Sequence, residues 1–209
     1  MNNNILDKKL IPVAVINDIN QALPLAEALL EGGLNVIEIT LRTEAAMNCI
    51  EIIKKSTPEM IIGAGTILDH LLIPELIDKG VSFGITPGIN PRVIESAQKH
   101  ELLIMPGIVT PSEIEQARNY GLEVLKFFPA EAAGGTSMLK ALAGPYGHTG
   151  IKFIPTGGIN LTNMASYIEI SSVAAVGGSW FVANNLLQAG RYEEISRLTK
   201  DALSLINNI

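Results

Sequence analysis

The sequence predicts an α/β fold, a single-domain (β/α)8 TIM barrel over residues 1–209, on three observations. A unit of amphipathic helix, glycine and short apolar strand recurs. Eight apolar strands can be counted, each followed by a helical pattern. No linker, low-complexity tract or break in composition divides the chain.

The unit is clearest at Glu31-Gly32-Gly33-Leu34-Asn35-Val36-Ile37-Glu38-Ile39, at Asp78-Lys79-Gly80-Val81-Ser82-Phe83-Gly84-Ile85, and at Asn119-Tyr120-Gly121-Leu122-Glu123-Val124-Leu125-Lys126-Phe127. In each, a glycine falls where a helix C-terminus favours a left-handed residue. The expected strands are Leu10–Ile16, Leu34–Leu41, Met60–Ala64, Val81–Ile85, Leu102–Met105, Leu122–Phe128, Ile151–Pro155 and Val173–Val176. Eight βα units in a row favour a closed barrel over an open doubly wound sheet. No Gly-x-Gly-x-x-Gly follows the first strand, which counts against a dinucleotide site.

Composition narrows the function classes. Hydrophobic residues make up 47% of the chain but aromatics only 5%, so the core must be built from Ile, Leu, Val and Ala. A formal net charge of −6, with no Lys/Arg cluster, argues against nucleic acid or an acidic membrane surface as a partner. The one cysteine, Cys49 in the helical stretch Glu44 to Lys55, reads as a small buried hydrophobe in a reducing compartment. Met1-Asn2-Asn3-Asn4 lacks the basic start and apolar run of a secretory leader. No apolar run reaches the ~18 residues of a membrane span. A cytoplasmic protein is expected.

In barrels of this kind the active site lies at the C-terminal ends of the strands. Strand alternation sorts the side chains there. Ile37, Ile39 and Leu41 share one face, suited to packing against helices, which directs Glu38, Thr40 and Arg42 inward. Leu125 and Phe127 likewise face the helices, so Val124, Lys126 and Phe128 point into the barrel. A structural ion pair is the plain alternative for such charges, and a snorkelling surface residue is the plain alternative for Lys126. The polar triplet near the catalytic end, and the apolar neighbours of Lys126, favour function.

A lysine that attacks a carbonyl must be unprotonated, and only about one amine in a few thousand is so at pH 7 with an ordinary pKa. Burial lowers that barrier, whereas a nearby Glu38 favours the ammonium. Once an imine forms, the carboxylate can move protons during carbinolamine dehydration and at the adjacent carbon. Lys126 and Glu38 thus form a candidate Schiff-base pair.

Gly157-Gly158 and Gly177-Gly178-Ser179 are expected to follow the seventh and eighth strands, where barrels of this type commonly hold phosphate. Tight turns are the alternative. Of the three histidines, His70 and His100 lie beside helices and His148 in a Gly-rich loop before the seventh strand, and none pairs with another His or Cys at ligand spacing, so no metal site is expected.

Together, Glu38-Ile39-Thr40-Leu41-Arg42-Thr43-Glu44, Gly63-Ala64-Gly65-Thr66, Thr86-Pro87-Gly88, Pro106-Gly107-Ile108, Leu125-Lys126-Phe127-Phe128-Pro129-Ala130-Glu131, Pro155-Thr156-Gly157-Gly158-Ile159 and Gly177-Gly178-Ser179-Trp180 resemble the bacterial 2-keto-3-deoxy-6-phosphogluconate (KDPG) and 4-hydroxy-2-oxoglutarate (KHG) aldolases. The resemblance runs in order along almost the whole chain, departing in an abbreviated N-terminus and a longer loop at Gly147–Gly150. It implies a class I aldolase of the Entner–Doudoroff pathway, without metal or organic cofactor, assembled as a homotrimer. It further implies Lys126 as the imine-forming lysine and Glu38 as general acid/base. Arg42 and Thr66 would hold the pyruvate carboxylate, a group suited to a guanidinium fork. Thr156, Pro87 and Phe128 would shape the pocket and its stereoselectivity.

Three rivals share these residues. A phosphosugar isomerase or synthase on the same barrel would use Glu38 without an imine, a 2-dehydro-3-deoxy-6-phosphogalactonate aldolase would take an epimeric substrate, and a silent phosphate-ligand sensor would need neither Lys126 nor Glu38.

Overall fold

The computed structural model describes residues 5–209; Met1–Asn4, on which the leader expectation falls, lies outside them. Five strands alternate with helices through the first half: β1 (Leu10–Ala14), β2 (Val36–Thr40), β3 (Ile61–Gly65), β4 (Phe83–Ile85) and β5 (Leu103–Met105). They are followed by β6 (Gly107–Ile108), β7 (Val124–Phe127), β8 (Lys152–Pro155) and β9 (Val176–Gly178). The helices are α1 (Ala22–Glu31), α2 (Ala46–Ser56), α3 (Ile73–Asp78), α4 (Pro91–Lys99), α5 (Pro111–Asn119), α6 (Gly135–Tyr146), α7 (Met164–Ile168), α8 (Asn184–Gln188) and α9 (Tyr192–Asn207).

Every pairing between named strands is parallel. One sheet has six strands in the order β5-β4-β3-β2-β1-β9, and a second has three in the order β6-β7-β8. Pro106 alone separates β5 from β6. Its ring removes a ladder donor, but its carbonyl still accepts the Lys126 N–H at 2.8 Å. Isolated bridges join Phe153 to Val173 and Thr156 to Gly177, linking β8 to the segment that contains β9.

Alternation along the strands separates two environments. Ile37, Ile39, Ile62, Leu125 and Phe127 are fully buried, forming a largely aliphatic core with the apolar faces of the helices. Helix α1 contributes Leu25, Ala26 and Leu29 to it. At its end a Cβ on residue 32 would lie 2.6 Å from the Thr199 side chain, so glycine lets α9 pack closely there. Helix starts follow their sequence signals. Asn90 and Thr110 cap α4 and α5 with side-chain oxygens, each ahead of a first-turn proline, and Glu113 completes a capping box with Thr110. The glycines of the recurring unit, Gly33, Gly80 and Gly121, have φ of +89°, +90° and +71°.

Most strands start or end a residue or more from the expected bounds, and two of these differences bear on the site. The last strand is Val176–Gly178 rather than Val173–Val176, because Gly177 and Gly178 pair in register with Ile11 and Pro12 of β1. These glycines are therefore strand residues, not the loop after it. Strand β2 ends at Thr40 because the Arg42 N–H turns back to the Thr40 carbonyl at 2.8 Å, breaking the alternation. Arg42 consequently lies in an exposed turn and not inside the strand.

Candidate active site

Glu38 and Lys126 come from different sheets. Glu38 is central in β2 and Lys126 is the third residue of β7; they are 1% and 6% exposed. Lys126 Nζ donates to Glu38 Oε1 at 3.5 Å, a loose contact for a charged pair. Lys126 Nζ also lies 5.0 Å from the centroid of the Phe128 ring, within cation–π range. Burial pushes the Glu38 carboxyl above the ordinary carboxylate range, and the Lys126 charge and hydrogen bond offset only part of that shift. Such a carboxyl retains its proton at a pH where an exposed glutamate has lost it.

The neighbouring strand makes room for the acid. Glu38 is in register with Gly63, and a Cβ on Gly65 would lie 2.1 Å from Glu38 Oε1. A Cβ on Gly63 would meet the Phe83 ring at the same distance. The two glycines of Gly63-Ala64-Gly65 therefore accommodate an aromatic ring and a carboxylate. Gly65 borders this pair, and the sequence alone does not single it out. An inward glycine beside an inward acid on the next strand is the signal that could find it.

Because the strands run parallel, the residues after their C-terminal ends lie at one edge. The Leu41 N–H donates to the Gly65 carbonyl at 2.8 Å, tying the turn that bears Arg42 to the end of β3. There Thr66 is partly buried and holds φ at +58°, a left-handed conformation that a β-branched side chain seldom adopts. Arg42 has no salt bridge among the described residues. Pro87 is exposed beyond β4, and its carbonyl oxygen comes so close to Gly107 that a Cβ there would lie 2.1 Å away.

Thr156 is buried after β8, with its hydroxyl 2.3 Å from where a Gly177 Cβ would stand. Gly178 leaves space for the Trp180 ring. Gly157 and Gly158 have φ of +101° and +79°. Among the described residues, the N–H groups of Gly158 and Ser179 donate to no protein acceptor. The Gly157-Gly158 loop is thus a true loop at this edge, whereas Gly177 and Gly178 make space for side chains.

No group of three or more His, Cys, Asp or Glu side chains comes together among the described residues. Cys49 is fully buried, and burial, with Asp18 adding to it, raises its thiol pKa to about 11, which leaves it unreactive. No described helix is long and apolar enough to cross a membrane. A broad surface hollow at Arg191, Tyr192, Glu193, Glu194 and Arg197 includes none of the site residues.

The KDPG and KHG aldolase family model matches residues 1–198. The chain belongs to this family. The KHG/KDPG aldolase of Escherichia coli K12 is 42% identical over 193 residues, covering 92% of this chain and 90% of that protein. The KDPG aldolase of Legionella pneumophila, solved with pyruvate captured at low pH as a covalent carbinolamine intermediate, has a TM-score of 0.91 at 38% identity, over 96% of this chain and 97% of that one. The KDPG aldolase of Zymomonas mobilis ZM4, solved with 3-phosphoglycerate, has a TM-score of 0.89 at 36% identity, over 97% and 94%.

Proposed function

We propose that this KDPG/KHG aldolase family member cleaves 2-dehydro-3-deoxy-6-phosphogluconate to pyruvate and glyceraldehyde 3-phosphate through an imine on Lys126, and that it also accepts 4-hydroxy-2-oxoglutarate, giving pyruvate and glyoxylate. The observation that carries this reading is the buried Lys126–Glu38 pair, an amine and an acid 3.5 Å apart on facing sheets. Captured pyruvate in the Legionella enzyme supports it, because a carbinolamine is the adduct that an amine makes with a ketone.

The unprotonated Lys126 amine adds to C2 of the keto acid, and the carbonyl oxygen becomes the carbinolamine hydroxyl. Glu38, holding a proton because of its burial, delivers it to that hydroxyl; water leaves and the iminium forms. Glu38, now a carboxylate, takes the C4 hydroxyl proton as the C3–C4 pair flows into the iminium and the aldehyde departs. It returns that proton to the enamine at C3; water then adds to the iminium, pyruvate and the Lys126 amine part, and the proton released restores the Glu38 carboxyl. Arg42 and Thr66 take the substrate carboxylate, and an arginine without a salt-bridge partner keeps its whole fork for that anion. Thr156, Pro87 and Phe128 border the substrate chain. Gly157, Gly158 and Ser179 face the phosphate; that the Zymomonas relative was solved with 3-phosphoglycerate supports a phosphorylated ligand.

We infer further that the two sheets are arcs of one eight-stave barrel, with β5 and β6 as a single stave around Pro106. The β8 bridges to Val173 and Gly177 support that closure. The homotrimer rests on the family resemblance, and the cytoplasmic location on the lone cysteine, which suits a reducing compartment.

Borohydride reduction in the presence of pyruvate tests the reaction. The expected product is one pyruvate-derived adduct per chain, mapped by peptide mass to Lys126. An unmodified Lys126 would assign the site to imine-free isomerase chemistry, for which a raised-pKa Glu38 is also equipped.

A further inference from the structure

The Gly157-Gly158 loop does not stand alone at the mouth. A Cβ on Gly158 would lie 2.7 Å from both Cβ and Cγ of Glu131, so the loop backbone rests directly on that side-chain stem. The Ala130 N–H donates to the Thr156 carbonyl at 2.8 Å, and the Glu131 N–H to the Gly157 carbonyl at 3.1 Å. The turn that follows the lysine strand thus carries the loop that follows β8. The Glu131 carboxylate accepts a hydrogen bond from the Tyr167 hydroxyl on α7. Tyr167 is fully buried, and burial together with the Glu131 bond and charge raises its pKa, so the phenol stays a donor.

We propose that Glu131 and Tyr167 are a positioning pair that fixes the Gly157-Gly158 loop for the phosphate end of the substrate. The proposal rests on the phosphate assignment made above. Neither side chain touches the reacting carbons. Their effect is to hold the stem on which Gly158 lies, and so to set where its unpartnered N–H points. Backbone donors act on an anion only when preorganised, so a loosened stem weakens binding at that end and leaves imine chemistry on Lys126 intact.

Steady-state kinetics of wild type, Tyr167→Phe, Glu131→Ala and Glu131→Gln, on the phosphorylated keto acid and on the same acid without phosphate, test this. Tyr167→Phe and Glu131→Ala are expected to raise KM for the phosphorylated acid about tenfold, one misplaced donor's worth of affinity. Their kcat/KM for the unphosphorylated acid, and borohydride trapping of pyruvate on Lys126, are expected to stay within about twofold of wild type. Glu131→Gln keeps an oxygen that accepts the tyrosine bond and is expected to behave as wild type. Equal losses on both substrates, or none on either, would overturn the pair's role while leaving the phosphate assignment standing. A wild type that treats the two acids alike would instead remove the phosphate assignment and the proposal with it. Should Tyr167→Phe fold poorly, the exposed Glu131 variants decide the outcome.

Discussion

Under the proposed mechanism the six-stranded and three-stranded sheets each supply one half of the chemistry, and they hold it differently. On the six-stranded side the acid is fixed by rigid surroundings: Glu38 sits mid-strand, with Gly65 vacating the volume its carboxylate occupies. On the three-stranded side the amine, on a long flexible stem, lies in register with Gly107 and Ile154 and near the Phe128 ring. A general acid must meet several successive proton positions, so a fixed carboxylate suits it. A nucleophile that becomes part of the substrate must move with it, so a looser setting suits the lysine.

The largest effect is expected at the acid itself. Glu38→Gln keeps the shape but cannot transfer protons, and turnover is expected to fall at least ~100-fold, the low end for general acid–base catalysis. The pH profile sharpens the point. Glu38 enters the reaction holding its proton, so kcat/KM falls as pH rises through its pKa, since the ionised carboxylate delivers nothing. Burial sets that basic limb above the usual carboxylate value of about 4.3. The limb is expected in wild type and absent from the residual activity of Glu38→Gln. A limb that survives the substitution would place the acid elsewhere.

Next in size is Gly65→Ala. The added methyl would stand 2.1 Å from Glu38 Oε1, so the carboxylate must move. A shift of about 1 Å in a catalytic group costs up to ~100-fold, and a loss of about 10- to 100-fold in kcat is expected, read alongside a thermal melt that shows a folded chain. Wild-type kcat in this variant would show that the acid tolerates displacement, and the contrast between the sheets would fail.

These two positions also show how far the sequence can be read. Glu38 and Lys126 are legible because strand alternation alone decides which face a side chain takes. The parallel α/β fold is legible because each βα unit repeats one local pattern. Gly65 is not, because its reason for being glycine stands on the next strand. Alternation carried two residues past Thr40 points Arg42 inward, but a backbone turn has already ended the strand there. Gly177 and Gly178 look like a loop because a Gly-Gly pair usually marks one; here Thr156 and Trp180 fill the space the glycines leave. The Glu131–Tyr167 bond joins residues 36 apart in sequence, beyond the reach of any local pattern.

The smallest effect is expected on the lysine side. Phe128→Leu removes the ring 5.0 Å from Lys126 Nζ but keeps an apolar side chain of similar reach. A cation–π contact of this kind is worth about 0.5–1 kcal/mol, equivalent to a two- to fivefold change. The rate at which borohydride traps pyruvate on Lys126 is therefore expected to change by less than about fivefold. The ring faces a cation both before attack, as the ammonium, and after it, as the iminium that borohydride reduces, so its loss is expected to leave little net change in trapping. A loss as large as that of Gly65→Ala would mean that Phe128 holds the lysine as tightly as Gly65 lets β3 hold the acid, and that both halves of the site are rigid.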